Sequence, residues 1–330
     1  MNKTGSMTIV PKREISIARS LRLAGTSQKI VVSVWLLITV LSGMSWVLSL
    51  SALYLWDRVP AVEAPRYFPD MTSESIQAHA DWQTTVLQAG FSLAGYASYF
   101  LIARLIAGLS LFLVSFRLVY RYNNHLMAML MATVLSLFAA AGIWGNPLFG
   151  PAVAIAPWME YPAQLLNWLL WCAAIVIFTF PDGTFTPRWT AWLAALLIPL
   201  TFLNAFGIDI FLNPANWPAP YYLLPNFVFI GGALLAVVQR YTRTASAAQQ
   251  QSLRGYVIGL SLLVAMYFVI LFLTDIYYLL AGGPLFEGNA AALRYVLVNE
   301  PIWFACETLF AVGLARSVFR DHLLEGEKGE

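Results

Sequence analysis

Four ionisable side chains lie inside long apolar runs of this sequence, where a charge is unfavourable. Arg104 interrupts one run, Asp275 lies in another, and Glu300 and Glu307 share a third. A charge at the centre of a spanning helix costs about 2.5–3.5 kcal/mol on insertion scales, so such residues usually face the interior of a helix bundle. These residues favour ion pairing between helices, a pocket for a small polar or amphipathic signal, or a path for protons or ions.

The spacing of these residues predicts how they pair. Glu300 and Glu307 are seven residues apart, which is two turns along one helical face. If their span descends from the outer to the inner surface, Glu307 lies at mid-depth, as Arg104 does in its own span. We therefore expect an ion pair between Arg104 and Glu307, and a shallower acidic patch formed by Asp275 and Glu300.

The sequence lacks the signatures of common active sites and metal centres. It contains no GxSxG, HExxH or Walker motif and no GxGxxG that opens a helix. Its 3 histidines lie far apart, and its 2 cysteines fall inside apolar runs. Neither set has the spacing of metal ligands. We therefore predict no catalytic residue, no metal site and no cofactor.

The composition is that of an integral membrane protein. Of 330 residues, 59% are hydrophobic and only 11% are charged, against roughly 25% charged residues in soluble domains. A spanning helix needs about 20 apolar residues. Eight segments come close to this requirement: 30–56, 91–116, 126–145, 163–180, 190–212, 223–239, 255–281 and 295–316. The predicted fold is an all-α, polytopic transmembrane helix bundle of about eight spans.

The distribution of basic residues predicts the orientation. Of the 19 lysines and arginines, eight spans place fifteen on the side of the N-terminus and three on the other side, with Arg104 inside a span. Cytoplasmic loops are enriched in Lys and Arg, so we expect both termini in the cytoplasm. The predicted domains are a basic arm at 1–29, a transmembrane domain at 30–316 and a tail at 317–330. The net charge of only +2 does not suggest nucleic-acid binding.

The longest predicted loop, 57–90, lies on the extracytoplasmic side. Thr72 or Ser73 is a suitable N-cap, and Glu74 would stabilise the first turn of a following helix. Apolar residues spaced through 71–87 make this helix amphipathic. Two roles are open: a connector lying on the outer leaflet, and a lid over the outer mouth of the bundle.

The segment FTFPDGTFTPRW, residues 178–189, joins the fourth and fifth spans on the cytoplasmic side. Its Pro-Asp-Gly at 181–183 predicts a type I turn. Thr186 is a suitable cap for the next helix, and Pro187 suits the first helical position. The arginine and tryptophan at 188–189 are typical of an anchor at the membrane interface.

The same segment resembles the FPDG-x-F-x-PRW signature of the membrane-embedded N-terminal regions of certain bacterial sensor histidine kinases, common in Chloroflexi-type bacteria. Segments 87–117, 237–262 and 309–324 are similar to that family in the same order. Thr184 departs from the arginine that the family often has, and Arg254-Gly255 replace its usual Lys-Trp. The signature consists here of Phe180, Pro181, Asp182, Gly183, Phe185, Pro187, Arg188 and Trp189.

The resemblance implies a sensor region in the bacterial inner membrane. Residues 317–330 hold no phosphoacceptor helix and no ATP-binding glycine boxes, so we do not carry kinase activity over. We expect a sensor-like signalling protein that acts through a separate output partner and is not itself an enzyme. An accessory subunit of a larger membrane complex and a small transporter or membrane-bound enzyme are the alternatives. Expected partners are the lipid bilayer, a separate kinase or another membrane protein, and a second copy of the chain.

Overall fold

The described part of the chain is helical. A computed structural model describes residues 22–69, 71–141, 149–218, 221, 224–271, 289–320 and 324, and it contains no β-strand within them. This confirms the all-helical fold. The α-helices in chain order are α1 (Gly25–Arg58), α2 (Ser73–Gln88), α3 (Leu93–Tyr122), α4 (Leu126–Ala141), α5 (Phe149–Ile155), α6 (Glu160–Thr179), α7 (Trp189–Ala205), α8 (Leu224–Gln239), α9 (Ala247–Leu271) and α10 (Asn289–Ala315). Five-residue π-helical turns, Arg240–Thr244 and Arg316–Arg320, follow α8 and α10.

Five of the described helices are long and apolar enough to cross a membrane. They are the segments Gly25–Arg58, Leu93–Tyr122, Pro157–Thr179, Gln249–Ile270 and Asn289–Arg320. α4 and α7 are apolar but shorter. Large apolar side chains such as Leu37 on α1 and Leu113 on α3 are exposed, as expected of surfaces that contact lipid. The chain therefore has the character of a multi-pass membrane protein.

Each of the eight predicted apolar segments overlaps one of the described α-helices, but several ends differ. α1 begins at Gly25, inside the predicted arm 1–29, and continues to Arg58, inside the predicted loop 57–90. α10 begins at Asn289, six residues before the predicted start at 295. A polar residue stops an apolar run but does not stop a helix, because the helix continues past the membrane surface as long as its backbone hydrogen bonds are kept. α1 and α10 therefore begin before their predicted apolar segments do.

The bundle has two ends, which we name by their connections. The loop end holds the connections from α1 to α2 and from α2 to α3. The hairpin end holds the connection from α6 to α7, residues 180–188. α10 joins the two ends: Leu293 packs against Phe100 at the loop end, and Val318, just beyond α10, accepts a hydrogen bond from the Tyr122 hydroxyl (3.4 Å) at the hairpin end.

The seam between α1, α3 and α4 is closed by hydroxyl groups as well as apolar contacts. Trp35 Nε1 donates to Ser115 Oγ (3.3 Å), and Ser115 and Ser136 share a hydrogen bond of 2.9 Å. Thr39 reaches the same Ser136 at 3.0 Å. Small hydroxyl residues let helices approach closely in a membrane and bond across the interface, so they fix α4 between α1 and α3.

α9 and α10 cross at glycines. Gly255 and Gly259 are four residues apart on α9, a small-xxx-small pattern typical of close helix contacts in membranes. A Cβ atom at Gly259 would lie 2.8 Å from the Phe310 Cα, and one at Gly255 would lie 2.6 Å from the Gly313 carbonyl oxygen. Only glycine fits this backbone-to-backbone contact.

We expect Gly259→Ala to lower stability by about 1–3 kcal/mol, the range for overpacking a tight site. The added methyl meets backbone atoms of α10, so the two helices must separate. Gly231→Ala on α8 is the matched control, because a Cβ there would meet only Phe268 at an ordinary 3.7 Å. Thermal unfolding in detergent measures both variants, and equal midpoints would contradict the close crossing.

Candidate functional site

An ion pair joins α3 to α10 near the loop end. Arg104 Nη2 lies 2.9 Å from Glu300 Oε2, and the two side chains are 14% and 34% exposed. The guanidinium carbon also lies 5.6 Å from the Phe100 ring centroid and 5.9 Å from that of Phe304. Aromatic faces attract a cation at such distances, so the pair is held on both helices by charge and by ring contacts.

The expected ion pair between Arg104 and Glu307 was wrong. Glu307 is buried two turns nearer the hairpin end, where it accepts a hydrogen bond from Trp303 Nε1 (3.1 Å). The reason is the early start of α10. Arg104 lies eleven residues after Leu93 and Glu300 eleven residues after Asn289, so at 1.5 Å per residue both lie about 16 Å into their helices.

A second carboxylate lies close to this pair. Asp57 occupies the last turn of α1, where it is half-buried and interacts electrostatically with both Arg104 and Glu300. The Arg104 guanidinium is therefore within electrostatic range of carboxyl groups on two different helices. Asp275, which we expected to form an acidic patch with Glu300, lies outside the described residues, so the predicted patch stays a prediction.

The helix predicted in loop 57–90 is confirmed as α2, with His79, Gln83 and Val86 on its buried side and Leu87 exposed. Thr72 is its N-cap, with the side-chain oxygen accepting from the Ser75 backbone N–H at 3.2 Å. Its Val86 packs in one cluster with Phe100 of α3 and Leu293 of α10. Since the Phe100 ring also contacts the Arg104 guanidinium, α2 lies one side chain away from the ion pair.

At the hairpin end, a buried arginine binds the FPDG segment. Arg240 follows α8, is only 6% exposed, and donates hydrogen bonds to the backbone carbonyls of Thr179 (3.2 Å), Phe180 and Thr184 (2.5 Å). It also pairs with Asp182 Oδ1 at 3.0 Å. The last carbonyls of a helix have no partner within that helix, and here the guanidinium supplies one for the end of α6.

Burial and nearby groups act on Arg240 in opposite directions. Burial lowers the pKa of its guanidinium, and Asp182 and Tyr256 oppose that shift. An arginine keeps its charge at neutral pH in proteins, so the guanidinium stays a five-donor cation. The Phe180 ring lies 5.1 Å from that of Tyr256, and the Tyr256 ring lies 6.1 Å from Phe310 on α10. The hairpin is therefore packed against α9, and Tyr256 of α9 links it to α10.

The turn of the hairpin differs from the predicted type I turn. The Gly183 N–H donates to the Thr179 carbonyl (2.8 Å), which closes a five-residue turn rather than a four-residue one. Gly183 has a φ of 75°, a left-handed conformation that favours glycine. Asp182 Oδ1 accepts from the Thr184 backbone N–H at 3.1 Å, so Asp182 stabilises the turn as well as pairing with Arg240.

The predicted start of the next helix was also wrong. α7 begins at Trp189 with Arg188 as N-cap, and no side chain caps it. Thr186 therefore does not serve as the cap, and Pro187 precedes the helix. The Pro187 carbonyl accepts the Thr190 hydroxyl instead (2.7 Å). Trp189 is 44% exposed and Arg188 is exposed.

Sequence reasoning missed Asp57 and Arg240 as site residues. We assigned Asp57 to a loop and Arg240 to the basic residues that orient the protein. The signal available in the sequence is that each stands directly at the end of a long apolar run. A charge at that position is still within reach of neighbouring helix ends, where unpaired carbonyls and other charges lie.

Two further observations limit the chemistry of the described residues. A cavity of about 60 Å³ between α4, α6, α8 and α9 is lined almost entirely by apolar groups, among them Phe138, Trp171 and Phe229. No group of three or more His, Cys, Asp and Glu side chains in the described part could hold a metal ion.

In comparisons with protein-family models, curated proteins and solved structures, nothing matched this chain.

We expect Arg240→Gln to destabilise the hairpin by about 1.5–3 kcal/mol, the range for hydrogen bonds to charged groups. Arg240→Lys should be nearly as damaging, because an ammonium cannot reach several carbonyls in a plane. The control is Arg243→Gln, which changes an exposed arginine of the same π-helical turn. Limited proteolysis at 180–188 and thermal unfolding measure the effect; a similar loss in the control would contradict the assignment.

Gly183→Val should be more damaging than Asp182→Asn. A β-branched residue in the left-handed conformation costs about 1–2 kcal/mol and obstructs the turn. Asparagine retains an oxygen for the Thr184 N–H and loses only a pair whose carboxylate is 50% exposed, worth about 1 kcal/mol or less. Folded yield and thermal midpoint rank the variants. Equal losses would mean that the Asp182 charge does more than hold the hairpin.

Proposed function

We propose that this protein is a sensor-like membrane protein of a bacterial signalling system, which responds at the loop end and acts on an output partner at the hairpin end. The observation that carries the proposal is the Arg104–Glu300 ion pair, because it ties α10 to α3 at one end of the bundle while α10 continues to the other end. The protein is proposed to carry no catalytic activity of its own. The sequence resemblance to kinase sensor regions supports the same function.

A continuous series of contacts runs between the two ends. Glu300 and Phe310 lie ten residues apart on α10. Phe310 packs against Tyr256, and Tyr256 packs against Phe180 of the hairpin. Arg240 then binds the carbonyl of Phe180. A shift of α10 at the loop end would therefore be felt by side chains that hold the hairpin, and coupling of this kind travels through packed networks.

The charge cluster supports two arrangements of the helices. Arg104 pairs with Glu300 in this structure, and Asp57 on α1 is a second carboxylate that interacts with it. Exchange of the guanidinium between these carboxylates would loosen α10 from α3 and tighten α1. A signal acts on such an equilibrium only if it binds or stabilises one arrangement better than the other.

The proposed orientation places the hairpin end in the cytoplasm and the chain in the cell membrane, with about eight spans. Support comes from the basic residues, since Lys29, Arg117 and Arg121 lie near the hairpin end and Arg66 and Arg294 near the loop end. Cytoplasmic segments are the ones enriched in such residues. The output partner would then be a separate kinase or another membrane protein.

The test is photocrosslinking in membranes from a crosslinker at exposed Arg243, in chains that carry Glu300→Gln or Arg294→Gln. Glu300→Gln removes the ion pair, whereas Arg294→Gln changes an exposed arginine of the same helix. We expect capture of one specific protein to change severalfold with Glu300→Gln and to stay unchanged with Arg294→Gln.

Other outcomes would favour the alternative functions. Capture of the same neighbours at constant yield in every variant would indicate an accessory subunit of a larger complex and would overturn the sensor proposal. Solute or proton flux through reconstituted protein that Glu300→Gln abolishes would indicate a transporter. In that case the Asp57, Arg104 and Glu300 groups would serve translocation rather than signalling.

A further inference from the structure

A buried histidine holds α2 against the end of α1. His79 is 3% exposed, and its ring centroid lies 4.3 Å from that of Trp56. Its Nε2 lies 3.0 Å from Nε2 of Gln83, one turn further along α2. Both residues therefore belong to the contact between α2 and the chain that leaves α1.

The hydrogen bonds of Gln83 fix which group it presents to His79. Its Oε1 accepts from the Ala61 backbone N–H (3.0 Å), and its Nε2 donates to the Val59 carbonyl (2.7 Å). If the amide were turned by a half-turn, both hydrogen bonds would be lost, and the side-chain oxygen of Gln83 would face the carbonyl oxygen of Val59. The amide therefore offers His79 an N–H donor, and His79 Nε2 must accept. An imidazole nitrogen accepts only when it carries no proton, so the docked His79 is neutral.

Protonation of His79 would conflict with this arrangement. A proton on Nε2 would point at the N–H of Gln83 and leave two donors facing each other. The resulting cation would also be buried, which is unfavourable without a charged partner. Burial lowers the pKa of His79 below its ordinary 6.5, and the Val59 and Trp56 carbonyls oppose that shift. Nδ1 makes no well-aligned hydrogen bond with any described residue.

The charges around His79 offer it no compensation. Asp57, the carboxylate nearest along α1, interacts with Arg104 and Glu300. Charged side chains on the elements that pack around His79 are exposed to solvent, and none of them acts on its pKa. These side chains are Arg58 of α1, Glu63 and Arg66 of the following turn, Glu74 and Asp81 of α2 and Arg294 of α10.

We propose that α2 is a pH-sensitive lid, docked while His79 is neutral and released when His79 is protonated. Release would separate Val86 from Phe100 and Leu293 and uncover the cluster of Asp57, Arg104 and Glu300. The signalling consequence of release rests on the function proposed above, whereas release itself does not. The proposed site binds a proton on His79 at the loop end. The Gln83 amide makes docking depend on that proton, because its N–H needs an unprotonated Nε2 as acceptor.

The direction of the effect follows from the proton balance. Docked α2 holds His79 with a lowered pKa, so the docked state binds fewer protons than the released state. Docking is therefore fully favoured above about pH 6.5, the ordinary histidine pKa, and weakens as the pH falls below it. Acidification at the loop end opens the lid, and a return to neutral pH closes it.

Hydrogen exchange of the full chain in lipid nanodiscs tests the proposal. Protection of the α2 amides is measured between pH 7.5 and pH 5.0 after correction for the intrinsic exchange rate. In the unmodified chain we expect protection to fall by up to about tenfold for each pH unit between the two pKa values. His79→Gln keeps an acceptor that does not titrate, so its α2 should stay protected at pH 5.0.

Two further variants keep the test decisive. His125→Gln is the matched control, because His125 also has a pKa lowered by burial but lies between α3 and α4, away from α2. It should lose α2 protection as the unmodified chain does. Gln83→Glu replaces the donor with an acceptor that suits a protonated histidine, so its α2 should release at a lower pH. Release at the same pH in the unmodified chain, His79→Gln and Gln83→Glu would overturn the proposal.

The same data separate the lid from the signal. Exchange in 180–188 reports the hairpin end. A pH response of α2 without a response of the hairpin would support the lid and count against the proposed function. A hairpin response that persists in His79→Gln would assign pH sensing to another group and overturn the role of His79. No pH response in α2 would overturn the lid and leave the crosslinking test of function unaffected.

Discussion

Lipid offers no hydrogen bonds, so each polar group between the helices of this protein needs a partner from the chain. That constraint explains the main contacts of the bundle. Arg104 pairs with Glu300, and Glu307 accepts from Trp303. The hydroxyls of Thr39, Ser115 and Ser136 bond to each other between α1, α3 and α4. At the end of α6, backbone carbonyls have no partner within the helix, and the Arg240 side chain donates hydrogen bonds to them. Polar contacts therefore contribute to the choice of neighbouring helices, beside the apolar core and the glycine crossing.

The same constraint divides what the sequence predicts from what it leaves open. Apolar runs predict helices because burial in lipid demands both low polarity and internal backbone bonding. Each of the eight runs accordingly overlaps a described helix. Partner choice depends on depth, and depth depends on where each helix begins. An error of six residues at the start of α10 moved Glu300 by about 9 Å, enough to exchange the partner of Arg104.

The hairpin shows a second limit. Its composition predicts a turn, and there is one, but the sequence signals for a type I turn and a capped helix were overridden. The cause is Arg240, which is distant in sequence and draws the carbonyls of Thr179 and Thr184 towards one guanidinium. A local pattern cannot report a long-range donor. Gly183 suits both the turn predicted from the local sequence and the wider turn that is observed. The wider turn also requires a residue in the left-handed conformation at this position.

The loop end combines groups of different character within a short distance. Asp57, Arg104 and Glu300 interact electrostatically with one another, whereas His79 is held neutral by its hydrogen bonds. Trp56 contacts the His79 ring, and Phe100 contacts the Arg104 guanidinium. Because Phe100 also packs in one cluster with Val86 of α2, the charged cluster is within reach of a change in α2. The sequence predicted the helix but not the histidine contact, since that contact depends on how α1 ends.

The glycine crossing of α9 and α10 has a mechanical consequence. Phe310, which faces Gly259 at the crossing, lies ten residues after Glu300 and ten before Arg320. Each arm is therefore about 15 Å long at 1.5 Å per residue. The second arm ends in the π-helical turn Arg316–Arg320. Because the two backbones touch at the crossing, a tilt of α10 about this contact moves the levels of Glu300 and Arg320 in opposite directions.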